Sequence, residues 1–187
     1  MNEKLHTTDL AGHCNEPTAW KILKETTRQL VERGQLVVDP SLIVIGDEGD
    51  FTLMDEATPQ VGFDAPETAH AGRTTASAAW SIGATMFYIV MGRQVMNGKG
   101  GAGQSPTSKL PYMRSEWPEL SELVQQCLQY APERRPALQD ILDKATEQCA
   151  RCDDDVRRGP RFKAATVPHD DGQTEQDLAF WPENMQP

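Results

Sequence analysis

The sequence predicts a mainly α-helical domain built round one buried helix at 77–91, with a small β-hairpin at 36–54 and an extended C-terminal tail. Three observations predict it. Residues 77–91, SAAWSIGATMFYIVM, are the longest strongly apolar run, and Trp80, Ile82, Met86, Phe87, Ile89, Val90 and Met91 leave no polar stripe on a helical wheel. A helix apolar all round is normally enclosed on every side. Segments 17–33, 117–130 and 137–149 each put apolar residues on one face at helical spacing, so they read as the helices that enclose it. From Asp153 onward hydrophobicity collapses, and such a segment cannot assemble a core of its own. The chain therefore divides into a lead (1–16), a domain (17–152) and a tail (153–187).

Each element has its own signals. The lead, which begins MNEKLHTTDL, lacks the apolar core of a signal peptide, and the expectation is a cytoplasmic protein. Helix 17–33 has Pro17 at its entry and Gly34 at its exit, with Trp20, Ile22, Leu23, Thr27, Leu30 and Val31 on one face. Leu36–Val38, Leu42–Ile45 and Phe51–Met54 are β-like runs separated by Asp39-Pro40-Ser41 and by the acidic turn 46–50, which reads as a hairpin. The central run is shorter than the roughly 20 apolar residues of a membrane span and is flanked by Arg73 and Arg93. Thr75 or Ser77 can cap its start, and Gly92 stands where a left-handed residue closes a helix. Residues 97–111, rich in Gly, Ser and Pro, read as a flexible surface loop, and Ala131–Pro136 reads as a turn between the last two helices.

Charge limits the partners. The net charge is −10, with 20 acidic against 13 basic groups in residues 1–150. Phosphate-bearing surfaces repel such a domain, which disfavours nucleic acid and anionic lipid and leaves other proteins, basic peptides among them. Asp47, Glu48, Asp50, Asp55, Glu56 and Asp64 crowd the hairpin and the segment after it. They read as a solvated face, or as the surface that receives a basic partner. Leu178, Phe180 and Trp181 follow a long polar run in the tail and read as a docking peptide, with a partner chain favoured over this domain as its receiver.

Three further signals are weak. Cys149 and Cys152 form a CxxC without the βαβ setting of a redox centre or the second ligand pair of a zinc site, so the four cysteines read as reduced thiols. His6, His13, His70 and His169 show no ligand spacing, and neither a metal nor a cofactor is expected. Lys99–Ser105, KGGAGQS, is close to a phosphate-binding loop. However, Gln104 stands where the phosphate lysine belongs, and no strand-to-helix setting surrounds it.

Read in order, several motifs resemble the C-terminal lobe of a protein kinase. Ala65-Pro66-Glu67 stands as the APE motif. Trp80-Ser81-Ile82-Gly83 is similar to the WSLG of the central helix, and the run Leu128–Pro136, LQYAPERRP, is similar to the late turn that ends in Arg-Pro. PSLIVI (40–45) resembles the end of the catalytic loop, and FTLMDEA (51–57) the metal-binding segment. The resemblance spans about Pro17 to Cys149 and implies an ion pair between Glu67 and Arg135. It also implies that the chemistry is lost. Val37 occupies the position of the catalytic Asp, Leu42 that of the magnesium-binding Asn and Ala78 that of the Asp bracing the loop, while Asp55 alone keeps its acid.

A C-lobe without an N-lobe resembles the kinase non-catalytic C-lobe (KIND) domain, an interaction module of cytoskeletal scaffolds. That resemblance implies a non-enzymatic adaptor. The competing class is an enzyme: a divergent kinase completed by a separate N-lobe, or a small nucleotide hydrolase that uses the Gly-rich loop.

Overall fold

The structure, a computed structural model, describes residues 5–55 and 60–158. Among them are five α-helices, α1 (Glu16–Arg33), α2 (Thr68–Ala71), α3 (Thr75–Met91), α4 (Pro118–Cys127) and α5 (Leu138–Arg158). Strands β1 (Leu5–His6), β2 (Ile43–Ile45) and β3 (Phe51–Leu53) form one antiparallel sheet in that order. Leu5 lies opposite Ile45, and Ile43 opposite Leu53. The architecture is mainly helical with a small sheet at one side.

The helix ends follow from local chemistry. The Asn15 side chain accepts the Thr18 N–H at 2.9 Å to open α1, and Gly34, at φ 64°, closes it. Thr74, rather than Thr75 or Ser77, caps α3. Its Oγ1 accepts the Ser77 N–H at 3.2 Å while Ser77 Oγ accepts the Thr74 N–H at 2.8 Å, a reciprocal capping box.

Helix α3 is the core. Trp80, Ile82, Met86, Phe87 and Ile89 are at most 2 % exposed, and from Ser77 on only Tyr88 and Met91 are half-buried. Helix α4 approaches α3 closely because Gly83 has no side chain: a Cβ there would lie 2.7 Å from Cys127 Cβ. Helix α5 lies along α1, and α1 in turn covers the sheet edge. Gln29 Nε2 donates to the Phe51 carbonyl at 2.8 Å, and its Oε1 accepts the Leu53 N–H at 2.9 Å. One side chain thus satisfies backbone groups of β3 that would otherwise be an open strand edge.

Four expectations are corrected. The hairpin is shorter than 36–54: residues 36–38 form no strand, because Asp39 turns its carboxylate onto Ser41 and starts a 3-10 turn at Pro40. A third strand comes instead from the lead, whose Thr7 hydroxyl donates to the Pro40 carbonyl at 2.7 Å and whose Gly12 N–H donates to the Ile89 carbonyl at 2.9 Å. The lead is thus built into the domain. Helix α4 ends at Cys127 rather than 130, since the carbonyls of Gln129 and Tyr130 turn toward Arg135. Helix α5 continues to Arg158, past the expected helix end at Cys149 and past the domain boundary at Cys152. The apolar signal ends there, but a helix already under way continues until something breaks it, and the first breaker is Gly159-Pro160.

Candidate functional site

Arg135 lies where the turn before α5 passes the start of α3. Its side chain is 0 % exposed, and every guanidinium N–H has an acceptor. Nη1 donates to Glu67 Oε1 at 2.6 Å and to the Ala76 carbonyl at 2.9 Å. Nη2 donates to Glu67 Oε2 at 2.9 Å and to the Tyr130 carbonyl at 2.9 Å, and Nε donates to the Gln129 carbonyl at 2.8 Å. Five donors in a planar fork are what arginine offers, and lysine has neither the number nor the shape. Burial alone would raise the Glu67 carboxyl, but the hydrogen bonds and charge of Arg135, with a backbone hydrogen bond, outweigh it and hold it below its ordinary value.

The segment after α3 is largely exposed, as its composition suggests, but a few buried positions anchor it. Residues 95–98 and 100–103 form 3-10 turns, and Val95, Gly100, Gly101 and Gln104 are buried. Gln104 Oε1 accepts the Trp80 indole N–H at 2.9 Å, and its Nε2 donates to the Leu128 carbonyl at 2.6 Å. The glutamine at the would-be phosphate position is therefore a core bridge between α3 and the end of α4. Gly101 packs so closely on Ala65-Pro66 that a Cβ would lie 2.2 Å from Pro66 N, and its N–H donates to the Asp64 carbonyl. These backbone groups serve the fold, and a phosphate cradle needs them turned to solvent.

Val37 is half-buried against the core and Leu42 is buried, so neither side chain offers an oxygen or nitrogen at its position. Asp55 is exposed and ion-paired with Arg33 at 2.6 Å. Asp39 is a buried carboxylate that the sequence reading passed over. Its Oδ1 accepts from Ser41 N and Oγ at 2.8 and 2.5 Å, and its Oδ2 accepts the Gln60 N–H at 3.2 Å. An Asp before Pro-Ser is the signal that could have revealed this turn cap.

The acidic residues do not form one patch. Asp47, Glu48 and Asp50 are exposed at the hairpin tip, where Lys21 Nζ donates to the Gly49 carbonyl at 2.7 Å. Asp55 lies past the other end of β3, five residues and at most about 17 Å along extended chain from Asp50. Asp64 pairs with Arg73 at 3.1 Å beside α2. Two of the five described carboxylates thus carry a cation of their own. Glu56, like the tail residues Leu178, Phe180 and Trp181, lies outside the described residues. Among the described residues no group of three or more His, Cys, Asp or Glu side chains is placed to hold a metal ion, and no helix is long and apolar enough to cross a membrane.

Two clefts remain. A polar one of about 530 Å³ lies between Asp64–Arg73, the turn at Gly101 and Tyr130. An apolar one of about 450 Å³ lies where α1 ends and where α3 and α5 begin. Burial pushes the Cys127 thiol up to about 12 and the Cys14 thiol up to about 11, each against the nearby charge of an arginine, so both thiols are inert at neutral pH. Cys149 is raised as well, mainly by burial.

No protein-family model matches the chain, and no curated protein matches it either.

Proposed function

We propose that the chain is a non-catalytic protein-interaction module with the organisation of a protein kinase C-terminal lobe, most like a KIND domain, acting as an adaptor or scaffold subunit. The observation that carries this reading is the bidentate pair of Glu67 and Arg135. It joins the Ala65-Pro66-Glu67 motif to the Arg135-Pro136 turn, 68 residues further on, and encloses the start of α3 through the Ala76 carbonyl. The order of elements supports it: a long helix, a Pro-initiated turn, a two-stranded hairpin, the Glu67 motif, an enclosed helix, and two more helices separated by the arginine turn.

The absence of catalysis rests on side-chain chemistry. Phosphoryl transfer needs a carboxylate to orient the acceptor hydroxyl and oxygen ligands for magnesium. Val37 and Leu42 supply neither, and the carboxylate of Asp55 is held by Arg33. The Gly-rich segment follows a 3-10 turn rather than a strand, which argues against a nucleotide hydrolase.

Thermal denaturation with and without 1 mM ATP and magnesium tests this. A ligand of Kd near 10 μM at that concentration stabilises by about 2.7 kcal/mol, which shifts the midpoint visibly. No shift is expected, and a clear one would show that a nucleotide site exists. Quantitative capture of partners from native extract, compared with an Arg135→Met variant, then asks whether retention depends on the folded lobe.

A further inference from the structure

We propose that the apolar groove at the junction of α1, α3 and α5 is the docking site for the chain's own segment Leu178–Trp181, which folds back onto the domain in cis. The groove, about 450 Å³, is walled by Leu30, Val31, Leu36, Ala76, Pro136 and Leu138. Its volume falls in the range of sites that enclose apolar groups of one or two aromatic rings. Val31, at its rim, is 40 % exposed although it lies on the largely apolar face of α1.

Chain length selects the occupant. The groove lies at the first residue of α5, and α5 ends at Arg158. Twenty residues of helix at about 1.5 Å each place that end about 30 Å from the groove. Of the apolar residues that follow, Phe162 is four residues past Arg158 and reaches at most about 14 Å. Val167, nine residues on, would reach the groove only with the chain fully taut, at about 30 Å. Leu178 is twenty residues on. Twenty residues fully extended span about 66–72 Å, more than twice the distance required, so Leu178 reaches the groove with chain to spare. Leu178-Ala179-Phe180-Trp181 is also the densest apolar stretch after Arg158. The groove thus receives the first apolar cluster that can reach it without strain. The proposal rests on the groove and on this length, and stands independently of the lobe reading.

Photo-crosslinking of the full-length chain with p-benzoylphenylalanine in place of Phe180 tests it. The expected product is an adduct of monomer mass, with a yield unchanged on dilution, attached to residues of the groove walls. Val31→Arg on one wall and Ala137→Arg on the other should each abolish the adduct. Both positions are exposed, so the domain is expected to fold in either variant, and a retained melting temperature verifies it. An adduct of twice the mass would make the occupant a second copy and overturn the proposal. So would attachment elsewhere, a yield that survives both arginine variants, or no adduct, the last leaving the groove to an external partner.

Discussion

Arg135 grips both carboxylate oxygens of Glu67, at 2.6 and 2.9 Å, from a side chain that is 0 % exposed. The same guanidinium holds three backbone carbonyls, so the pair fixes the relative positions of α2, α3 and the turn before α5.

Arg135→Met should therefore cost about 3–5 kcal/mol, the range for breaking a buried pair from one side. It orphans the Glu67 carboxylate and the carbonyls of Ala76, Gln129 and Tyr130 together. Urea denaturation is the measurement, and an unchanged midpoint would mean that the pair contributes nothing to the fold.

Acid should weaken the same contact. The Glu67 carboxyl is lower in the folded chain than its ordinary 4.5, because Arg135 and a backbone hydrogen bond outweigh its burial. Its contribution is whole above about pH 4.5 and is lost as pH falls through the lower folded value. Stability measured from pH 6 to pH 3 should fall less steeply in Glu67→Gln than in the parent.

Two substitutions probe α3. Phe87→Ala should cost about 3–5 kcal/mol by opening a cavity. Gly83→Ala should also destabilise, by about 1–3 kcal/mol, because the new methyl meets Cys127 Cβ at 2.7 Å and α4 must move. A melting temperature unaffected by either change would remove the case for α3 as the central post.

Gln104→Leu keeps the bulk of the side chain and deletes both of its hydrogen bonds. The Trp80 indole N–H and the Leu128 carbonyl are then buried without partners, each at about 1–3 kcal/mol. A surface glutamine would tolerate the change without effect, so the denaturation midpoint separates the two cases.

The buried thiols give an alkaline counterpart. Cys14 and Cys127 titrate near 11 and 12 in the folded chain against 9.0 ordinarily, chiefly because burial disfavours the thiolate. The stability they contribute is full below pH 9 and is lost as pH rises through those values. Both should resist a thiol reagent until urea exposes them, and rapid native labelling of Cys127 would contradict its placement.

Much of the helical framework was legible because its signals are local. Periodicity marked α1 and α4, an apolar run without a polar stripe marked α3, and Pro17, Gly34 and Gly92 marked ends. The end of α5 was missed because it was set at Cys149, where the apolar spacing fades, while no helix breaker comes before Gly159. Leu36–Val38 have strand propensity, but a strand needs a partner, and β2 takes β1 from the lead instead. Of the candidate site, the Glu67–Arg135 pair was anticipated through a resemblance of motifs, and periodicity alone would not have joined them.

By itself the sequence determined that residues 77–91 would be enclosed and that amphipathic helices would enclose them, since both follow from apolar spacing along one segment. Only the tertiary structure decided the roles of Gln29, Asp39 and Gln104, which are polar residues in segments that read as surface or turn. Gln29 closes a strand edge, Asp39 caps a buried turn and Gln104 joins two helices. The tertiary structure likewise split the acidic run, giving Asp55 to Arg33 and Asp64 to Arg73. A polar group's role depends on which donor or acceptor lies within about 3 Å of it, and that distance is set by how remote segments pack rather than by the order of residues along the chain.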